Sequence, residues 1–289
     1  MVNLLIALMR LFARLPLSWV RAAGSVLGWL LWHLAHMRRR VVMVNLQQCM
    51  PELSPAERKA LAYRHFKAFG QSVLDRSWLW HAPLPTVRQR LRWVGDVQAL
   101  HAPGPLVMFA PHFVGLDAGG MAVSLDVAGP VAFIFVGQSS PQVSAWVNQG
   151  RERSGNVRPY FRHQGMRQIL AGIKKGEPLH LSPDMDFGRS ESVFVPFMGV
   201  QKAATVPSLS RLSKVAGARV VPVVTRMTPQ GYDIEVQAPL TDFPGEDVVQ
   251  DTARMNRLLA EWVRTMPEQY YWVHKRLKTR PEGEPSLYG

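Results

Sequence analysis

Apolar blocks alternate with amphipathic segments from about residue 105 onward, and this pattern predicts strands that alternate with helices. Continuous apolar runs of strand length occupy residues 105–110 and 131–136. The other predicted strands occupy residues 157–161, 179–181, 219–226 and 232–237, and the predicted helices occupy residues 115–126, 141–152, 166–174, 206–215 and 247–265. Alternation of strands with helices is typical of α/β proteins. We therefore predict an α/β fold with a mixed central sheet flanked by helices.

Upstream of this region, Ser54, Pro55 and Glu57 form the pattern of a capping box with proline at the first helical position. The pattern predicts a helix that begins here and runs to about Leu79.

The first 40 residues contain an uncharged apolar run from Ala22 to Met37, which stops at three consecutive arginines, residues 38–40. A secretory signal peptide carries its positive charge before the apolar run, so that class of segment is not favoured. A spanning helix needs about 20 apolar residues; the run falls slightly short, so it could span the membrane or lie on it. We predict an N-terminal membrane-associated helix within residues 1–40, followed by a larger domain, residues 41–289. The alternative is a buried core helix capped by surface arginines.

The chain of 289 residues has a formal net charge of +13, which favours an acidic partner. Nucleic acid is not a predicted partner because the chain has no recognisable nucleic-acid-binding motif. An anionic membrane, a phosphorylated substrate or an acidic carrier protein stays open. The single cysteine, Cys49, excludes an intramolecular disulfide and a cysteine-based metal cluster.

Candidate chemistry begins where the apolar run 105–110 ends, with His112 in the next turn and Asp117 five residues later. Positions i and i+5 of one helix differ by about 140° around its axis, so two side chains on one helix would not meet. If they pair, His112 lies in the loop and Asp117 in the first helical turn, with Gly115 permitting the bend. A carboxylate on one imidazole nitrogen leaves the other basic. The alternative is a loop histidine beside an aspartate that favours a helix dipole.

A second polar group follows strand 179–181, where Asp184, Asp186 and Arg189 lie in a glycine-containing loop. These residues could bind a polar headgroup or form a structural turn. An Asp-x-Asp pair suits hard cations, but further carboxylates are lacking nearby, so no metal is predicted. Arg162 could bind a phosphate or carboxylate through both arms of its guanidinium, or be a surface arginine.

The segment from Pro267 to Lys278 combines aromatic residues with three basic ones. Such a segment suits a surface that meets anionic lipid. A core-packing segment with basic edges explains the same pattern.

Together these motifs resemble the late acyltransferases of lipid A biosynthesis, the bacterial lauroyl and myristoyl transferase family. The resemblance covers nearly the whole chain, through Arg39-Arg40 with Asn45-Leu46, His112 to Asp117, Pro183 to Gly188 with Val193 to Phe197, Ala204-Thr205, and Pro267 to Tyr270 with Trp272 to Arg276. The aspartate at position 117 is a departure, because the lipid A branch is expected to have glutamate there at least as often.

The resemblance implies transfer of a fatty acyl chain from acyl carrier protein to a hydroxyl of a lipid A precursor. It implies that His112 is the general base and Asp117 its orienting acid. The expected substrate-binding residues are Arg162, Asp184, Asp186 and Arg189. The implied partners are acyl carrier protein, a phosphorylated glycolipid acceptor and the membrane, and the reaction requires no metal or other cofactor. The implied location is the inner membrane, with the catalytic domain on its cytoplasmic face.

Two other functions fit the residues. One is an acyltransferase that uses acyl-CoA or a carrier-bound donor and acts on another membrane lipid, such as a glycerolipid or glycolipid. The other is a non-catalytic membrane-binding relative, which predicts that His112 and Asp117 are not in contact or that no groove reaches them.

Overall fold

A seven-stranded sheet forms the centre of the protein, whose computed structural model describes residues 2–135, 137, 140–161 and 166–288. In sheet order its strands are β1 (Leu91–Gly95), β9 (Gly231–Val236), β8 (Arg219–Thr228), β2 (Leu106–Phe109), β5 (Leu179–Leu181), β3 (Val131–Phe135) and β4 (Val157–Phe161). Only the β8–β9 pair is antiparallel among these described strands. The sheet is therefore mixed, which confirms the predicted fold class. A separate hairpin pairs β6 (Val193–Phe197) with β7 (Val200–Thr205).

Ten α-helices accompany the strands in the described part of the chain. They are α1 (Val2–Phe12), α2 (Leu17–Leu34), α3 (His36–Cys49), α4 (Pro55–His81), α5 (Leu84–Gln89), α6 (Leu116–Asp126), α7 (Pro141–Glu152), α8 (Met166–Lys174), α9 (Ser208–Ala216) and α10 (Val248–Thr265). The predicted capping box at the start of α4 is confirmed, since Ser54 and Glu57 exchange backbone and side-chain hydrogen bonds.

Two hydrophobic cores cover the two faces of the sheet. Successive side chains of a strand point to opposite faces, so Val107 and Phe109 of β2 enter one core while Leu106 and Met108 enter the other. The first core includes residues from α3, α8, α9 and α10, and the second includes residues from α1, α6 and α7. Helix α4 contributes to both, so it spans the edge that joins them.

The N-terminal apolar region forms two helices, α1 and α2, because Pro16 separates them. Helix α2 packs closely on α4: a Cβ atom on Gly28 would lie 2.3 Å from the carbonyl oxygen of Phe66. Arg21 of α2 also forms an ion pair of 2.8 Å with the fully buried Asp75 of α4. Helix α2 is thus joined to the larger domain by a glycine contact and a buried charge pair.

The outward faces of α1 and α2 remain apolar and exposed. They carry Leu4, Leu5, Leu8, Leu11, Trp19, Val26, Trp29, Leu30 and Leu34. None of the helices in the described residues combines the length and apolarity that crossing a bilayer demands. The division of the chain at residue 40 and its membrane association stay predictions.

Candidate active site

His112 and Asp184 meet at one edge of the sheet because they follow neighbouring parallel strands. Phe109, at the end of β2, pairs in register with Leu181, at the end of β5. His112 and Asp184 each come three residues after this pair. Because the carboxyl ends of parallel strands lie at the same edge, equal offsets bring the two side chains together.

The Asp184 carboxylate holds His112 at two points. Its Oδ1 atom lies 2.8 Å from the Nδ1 atom of the ring, and its two oxygens accept from the backbone N–H of His112 at 3.2 and 3.1 Å. Burial raises the pKa of Asp184, but the charge and hydrogen bonds of His112 outweigh it, so the pKa lies below its usual value. Asp184 is therefore a carboxylate, and it favours the tautomer with the proton on Nδ1.

His112 itself has 23% of its side chain exposed, whereas the Asp184 side chain is fully buried. Among the described residues no hydrogen-bond partner contacts its Nε2 atom. The arrangement leaves Nε2 as a basic nitrogen that a bound substrate can reach, which is what a general base requires.

The predicted pairing of His112 with Asp117 is wrong. The predicted positions are confirmed: His112 lies in the loop, Gly115 is the N-cap of α6, and Asp117 is in its first turn. However, within the described part of the chain no hydrogen bond or ion pair joins the two side chains. The physical reason is competition, since Asp184 occupies Nδ1 of His112 and two guanidiniums occupy Asp117.

Those guanidiniums belong to Arg76 of α4 and Arg151 of α7. The Nε atom of Arg76 lies 2.7 Å from Oδ2 of Asp117, and Nε and Nη2 of Arg151 each lie 2.9 Å from Oδ1. Burial raises the pKa of Asp117, but the two positive charges outweigh it and hold the pKa well below its usual range. The three side chains carry a net charge of +1.

Two further histidines near the site are neutral. Burial, with the nearby charges of His112 and Arg151, lowers the pKa of His180 to about 4. Burial, with His112 and Arg276, lowers the pKa of His274 to about 4. At neutral pH these two histidines therefore add no charge to the site.

The C-terminal segment holds the His112 loop in place. The backbone N–H of Tyr271 donates to the carbonyl oxygen of His112 at 2.9 Å, and the N–H of Val114 donates to the carbonyl oxygen of Gln269 at 2.8 Å. Asn45 of α3 in turn donates to the carbonyl oxygens of Trp272 and His274, each at 2.7 Å. The interpretation of this segment as a core-packing element is therefore the correct one.

Arg276 also packs in the core, although it is a charged residue. It is buried, and it donates to the carbonyl oxygen of Ala204 at 2.6 Å and to Oγ1 of Thr205 at 2.9 Å. The motif residues Ala204, Thr205 and Arg276 thus fasten the hairpin β6–β7 to the C-terminal segment.

The other predicted substrate-binding residues lie in different settings. Asp186 is buried, and its oxygens accept from Gly188 and from the backbone and hydroxyl of Thr279, so it holds its loop to the C-terminal segment. Arg189 is half exposed, donates to the carbonyl oxygen of Arg280, and pairs with Glu282. Arg162 lies outside the described residues. Substrate contact by all four of these residues stays a prediction. In the structure Asp184 holds His112, and Asp186 holds its own loop.

Sequence reasoning missed Arg76 and Arg151. Neither residue lies in a motif, and each is one of 34 basic residues. The meeting of His112 with Asp184, by contrast, has a partial signal in the sequence, because each residue follows a predicted apolar strand. That these two strands are parallel neighbours is shown only by the pairing of β2 with β5.

Comparison with known proteins shows which family the chain belongs to. The sequence model of the family described as bacterial lipid A biosynthesis acyltransferase matches residues 1–279. The chain is 30% identical to the lipid A biosynthesis lauroyltransferase of Escherichia coli K12, over 98% of this chain and 93% of that protein. It is 31% identical to the lipid A biosynthesis myristoyltransferase of the same organism, over 91% of this chain and 82% of that protein.

Among solved structures, the 1-acyl-sn-glycerophosphate acyltransferase of Thermotoga maritima matches with a TM-score of 0.40 and 13% identity. The match covers 84% of this chain and 98% of that one.

The protein is an acyltransferase. More narrowly, the chain belongs to the bacterial lipid A biosynthesis acyltransferase family. The non-catalytic alternative predicted that His112 and Asp117 are not in contact or that no groove reaches them, and the lack of contact is observed. That separation does not leave the histidine without an acid, because Asp184 takes the position expected of Asp117.

Proposed function

We propose that the protein transfers a fatty acyl chain from acyl carrier protein to a hydroxyl of a lipid A precursor, with His112 as the general base. The observation that carries this proposal is the 2.8 Å contact between Nδ1 of His112 and the buried Asp184, which leaves Nε2 basic. The family relatives, whose names include lipid A lauroyltransferase and myristoyltransferase, support the acceptor class.

The proposed reaction is a direct transfer. Nε2 of His112 takes the proton of the acceptor hydroxyl, and the hydroxyl oxygen attacks the thioester carbonyl. The carbon–sulfur bond then breaks, and the thiolate of the carrier's prosthetic group takes the proton from His112. A positioned general base contributes about 10²- to 10⁴-fold to such a step.

Asp184 acts through His112 in this mechanism. It fixes the tautomer of the ring and stabilises the imidazolium that forms when the hydroxyl proton arrives. Asp117, expected to perform that task, instead holds Arg76 and Arg151.

The net charge of +13 supports partners that are acidic. Acyl carrier protein, the phosphates of the acceptor and the inner-membrane surface all meet that requirement. In our proposal the exposed apolar side chains of α1 and α2 enter the lipid interface. Arg38 and Arg40, which are exposed, meet its headgroups on the cytoplasmic side.

The acceptor class is tested by mass spectrometry of lipid A from cells that have the gene and cells that lack it. We expect lipid A from the deletion strain to be lighter by one acyl group, and expression of the wild-type chain to restore that mass. If lipid A is unchanged and a glycerolipid is altered instead, the acceptor is another membrane lipid.

The donor is tested separately with purified protein and one acceptor. We expect the acyl chain to be transferred from acylated acyl carrier protein, and little transfer from acyl-CoA that carries the same chain. Equal or better transfer from acyl-CoA would contradict the proposed donor and leave the acceptor untouched.

A further inference from the structure

Arg76 is a charged side chain beside the active site whose binding capacity is only partly used. Its Nε atom is bonded to Asp117, but among the described residues its two terminal nitrogens have no hydrogen-bond partner. Of its side chain, 31% is exposed, so these nitrogens can be reached from outside. A guanidinium with a free terminal edge binds an oxyanion through two N–H groups.

The guanidinium of Arg76 is held in one orientation before any ligand arrives. Asp117 fixes its Nε edge, and the ring of Trp80 lies 5.5 Å from its central carbon. Arg151, on the other side of Asp117, is similarly held by Asp117 and by the ring of Phe135 at 5.3 Å. Fixing both groups in advance lowers the entropy that binding would otherwise cost.

The cluster formed by Arg76, Arg151 and Asp117 has charges that favour binding of an anion. Two arginines and one carboxylate give a net charge of +1, and the second nearby carboxylate, Asp184, is already occupied by His112. The cluster also lies close to the base, because Asp117 is in the first turn of α6, only five residues after His112.

We infer that Arg76, supported by Arg151 and Asp117, forms a subsite that binds a phosphate ester of a substrate during acyl transfer. The inference rests on the proposed function, in which both substrates carry phosphate. The acceptor carries it on its sugar, and the donor carries it in the arm that bears the thioester. The shared chemistry is a phosphate whose oxygens accept from the terminal nitrogens of Arg76.

Binding measured at equilibrium tests the subsite without requiring turnover. The protein carries His112→Ala, with or without Arg76→Gln, and the two probes are a bisphosphorylated lipid A precursor and the same lipid without phosphate. A matched pair compares an acyl group on 4′-phosphopantetheine with the same acyl group on pantetheine, which lacks only the phosphate. Arg88→Gln is the control, because Arg88 forms an arginine–aspartate pair with Asp126 on the surface.

We expect Arg76→Gln to raise the Kd of one phosphorylated probe roughly 10- to 100-fold, and to leave its phosphate-free counterpart within about twofold. The affected pair identifies whether the phosphate belongs to the acceptor or the donor. The subsite is overturned if Arg76→Gln weakens binding of the phosphorylated and phosphate-free probes equally, or if it weakens binding in neither pair.

Steady-state kinetics on a background with His112 intact provides a second readout. A phosphate subsite predicts a raised KM with kcat within a few-fold, whereas a fall in kcat alone would place Arg76 at the reacting carbonyl and overturn the inference. Absence of wild-type transfer from acyl carrier protein to lipid A would end the proposed function. Phosphate-dependent binding through Arg76 would still uphold the subsite.

Discussion

His112 and Asp184 are 72 residues apart in the sequence, yet Nδ1 of the histidine lies 2.8 Å from Oδ1 of the aspartate. The carboxylate is fully buried, and the imidazole is partly exposed. One end of the pair is thus buried in the protein, and the other is partly open to solvent. The assignment of Asp184, rather than Asp117, as the acid that orients His112 follows from this contact.

Replacing Asp184 by asparagine should impair the base without removing it. An amide NH₂ facing Nδ1 favours the tautomer with the proton on Nε2, which cannot accept the proton of the acceptor hydroxyl. The equivalent change in a serine protease triad lowers kcat about 10⁴-fold, and we expect a loss of about 10²- to 10⁴-fold in kcat here. Steady-state kinetics measures the loss, and vesicle binding and thermal unfolding serve as controls.

Asp117→Asn is the matched comparison, because it removes a similarly buried carboxylate from the arginines rather than from the histidine. We expect Asp184→Asn to shift the acidic limb of the pH profile of kcat/KM, and Asp117→Asn to leave that limb in place. A shift of the limb in Asp117→Asn but not in Asp184→Asn would reverse the two assignments.

Replacing Gly28 by alanine should loosen helix α2 from α4. The added Cβ would lie 2.3 Å from the backbone oxygen of Phe66, so one helix has to move. We expect a loss of about 1–3 kcal/mol in the free energy of unfolding, measured by urea denaturation in detergent. Val26→Ala, on the exposed face of the same helix, is the control. Equal stability of the two variants would mean that the packing of α2 on α4 does not contribute to the free energy of unfolding.

Stability should fall as the pH drops from about 6.5 toward 4. The pKa values of His65, His180 and His274 are each lowered to about 4, mainly by burial, whereas an unfolded histidine titrates near about 6.5. Between these values the unfolded chain binds protons that the folded chain does not, so the free energy of unfolding falls with decreasing pH. Below about pH 4 the lowered pKa values of Asp117 and Asp184 continue the loss, because their stabilising contribution disappears as they are protonated.

Substituting His65 tests this pH dependence. His65 is fully buried, and its Nδ1 atom lies 2.9 Å from the carbonyl oxygen of Glu268, a contact that glutamine can replace. Urea unfolding at pH 5 and pH 7 should show a shallower pH dependence in His65→Gln and an unchanged one in His101→Gln, where the histidine is exposed. An unchanged slope in His65→Gln would indicate that this histidine is charged in the folded state.

The sequence predicted most of the α/β core because its elements carry strong local signals. Buried strands such as β2 and β3 are continuous apolar runs, and Gly217 ends α9 in the left-handed conformation expected of a helix C-cap. The strand β1 was missed because Arg92 interrupts a short run, and the hairpin β6–β7 because Pro196 lies inside it.

The site was harder to predict than the fold because its partners come from distant segments. The spacing of His112 and Asp117 suggested a pair, but spacing does not reveal which other charges reach the same place. Arg76 and Arg151 come from α4 and α7, whose positions over α6 depend on tertiary packing. Asp184 was identified as a site residue, but its role emerged only from the register of β2 with β5.

The role of His112 is decided by comparing acyl transfer by purified wild-type and His112→Ala protein, with acyl carrier protein as donor and a lipid A precursor as acceptor. The product is measured by mass spectrometry as the addition of one acyl group. We expect the wild type to form this product and His112→Ala to lose at least about 10²-fold in rate, with unchanged vesicle binding. Transfer by His112→Ala at the wild-type rate would contradict the assignment of His112 as the general base.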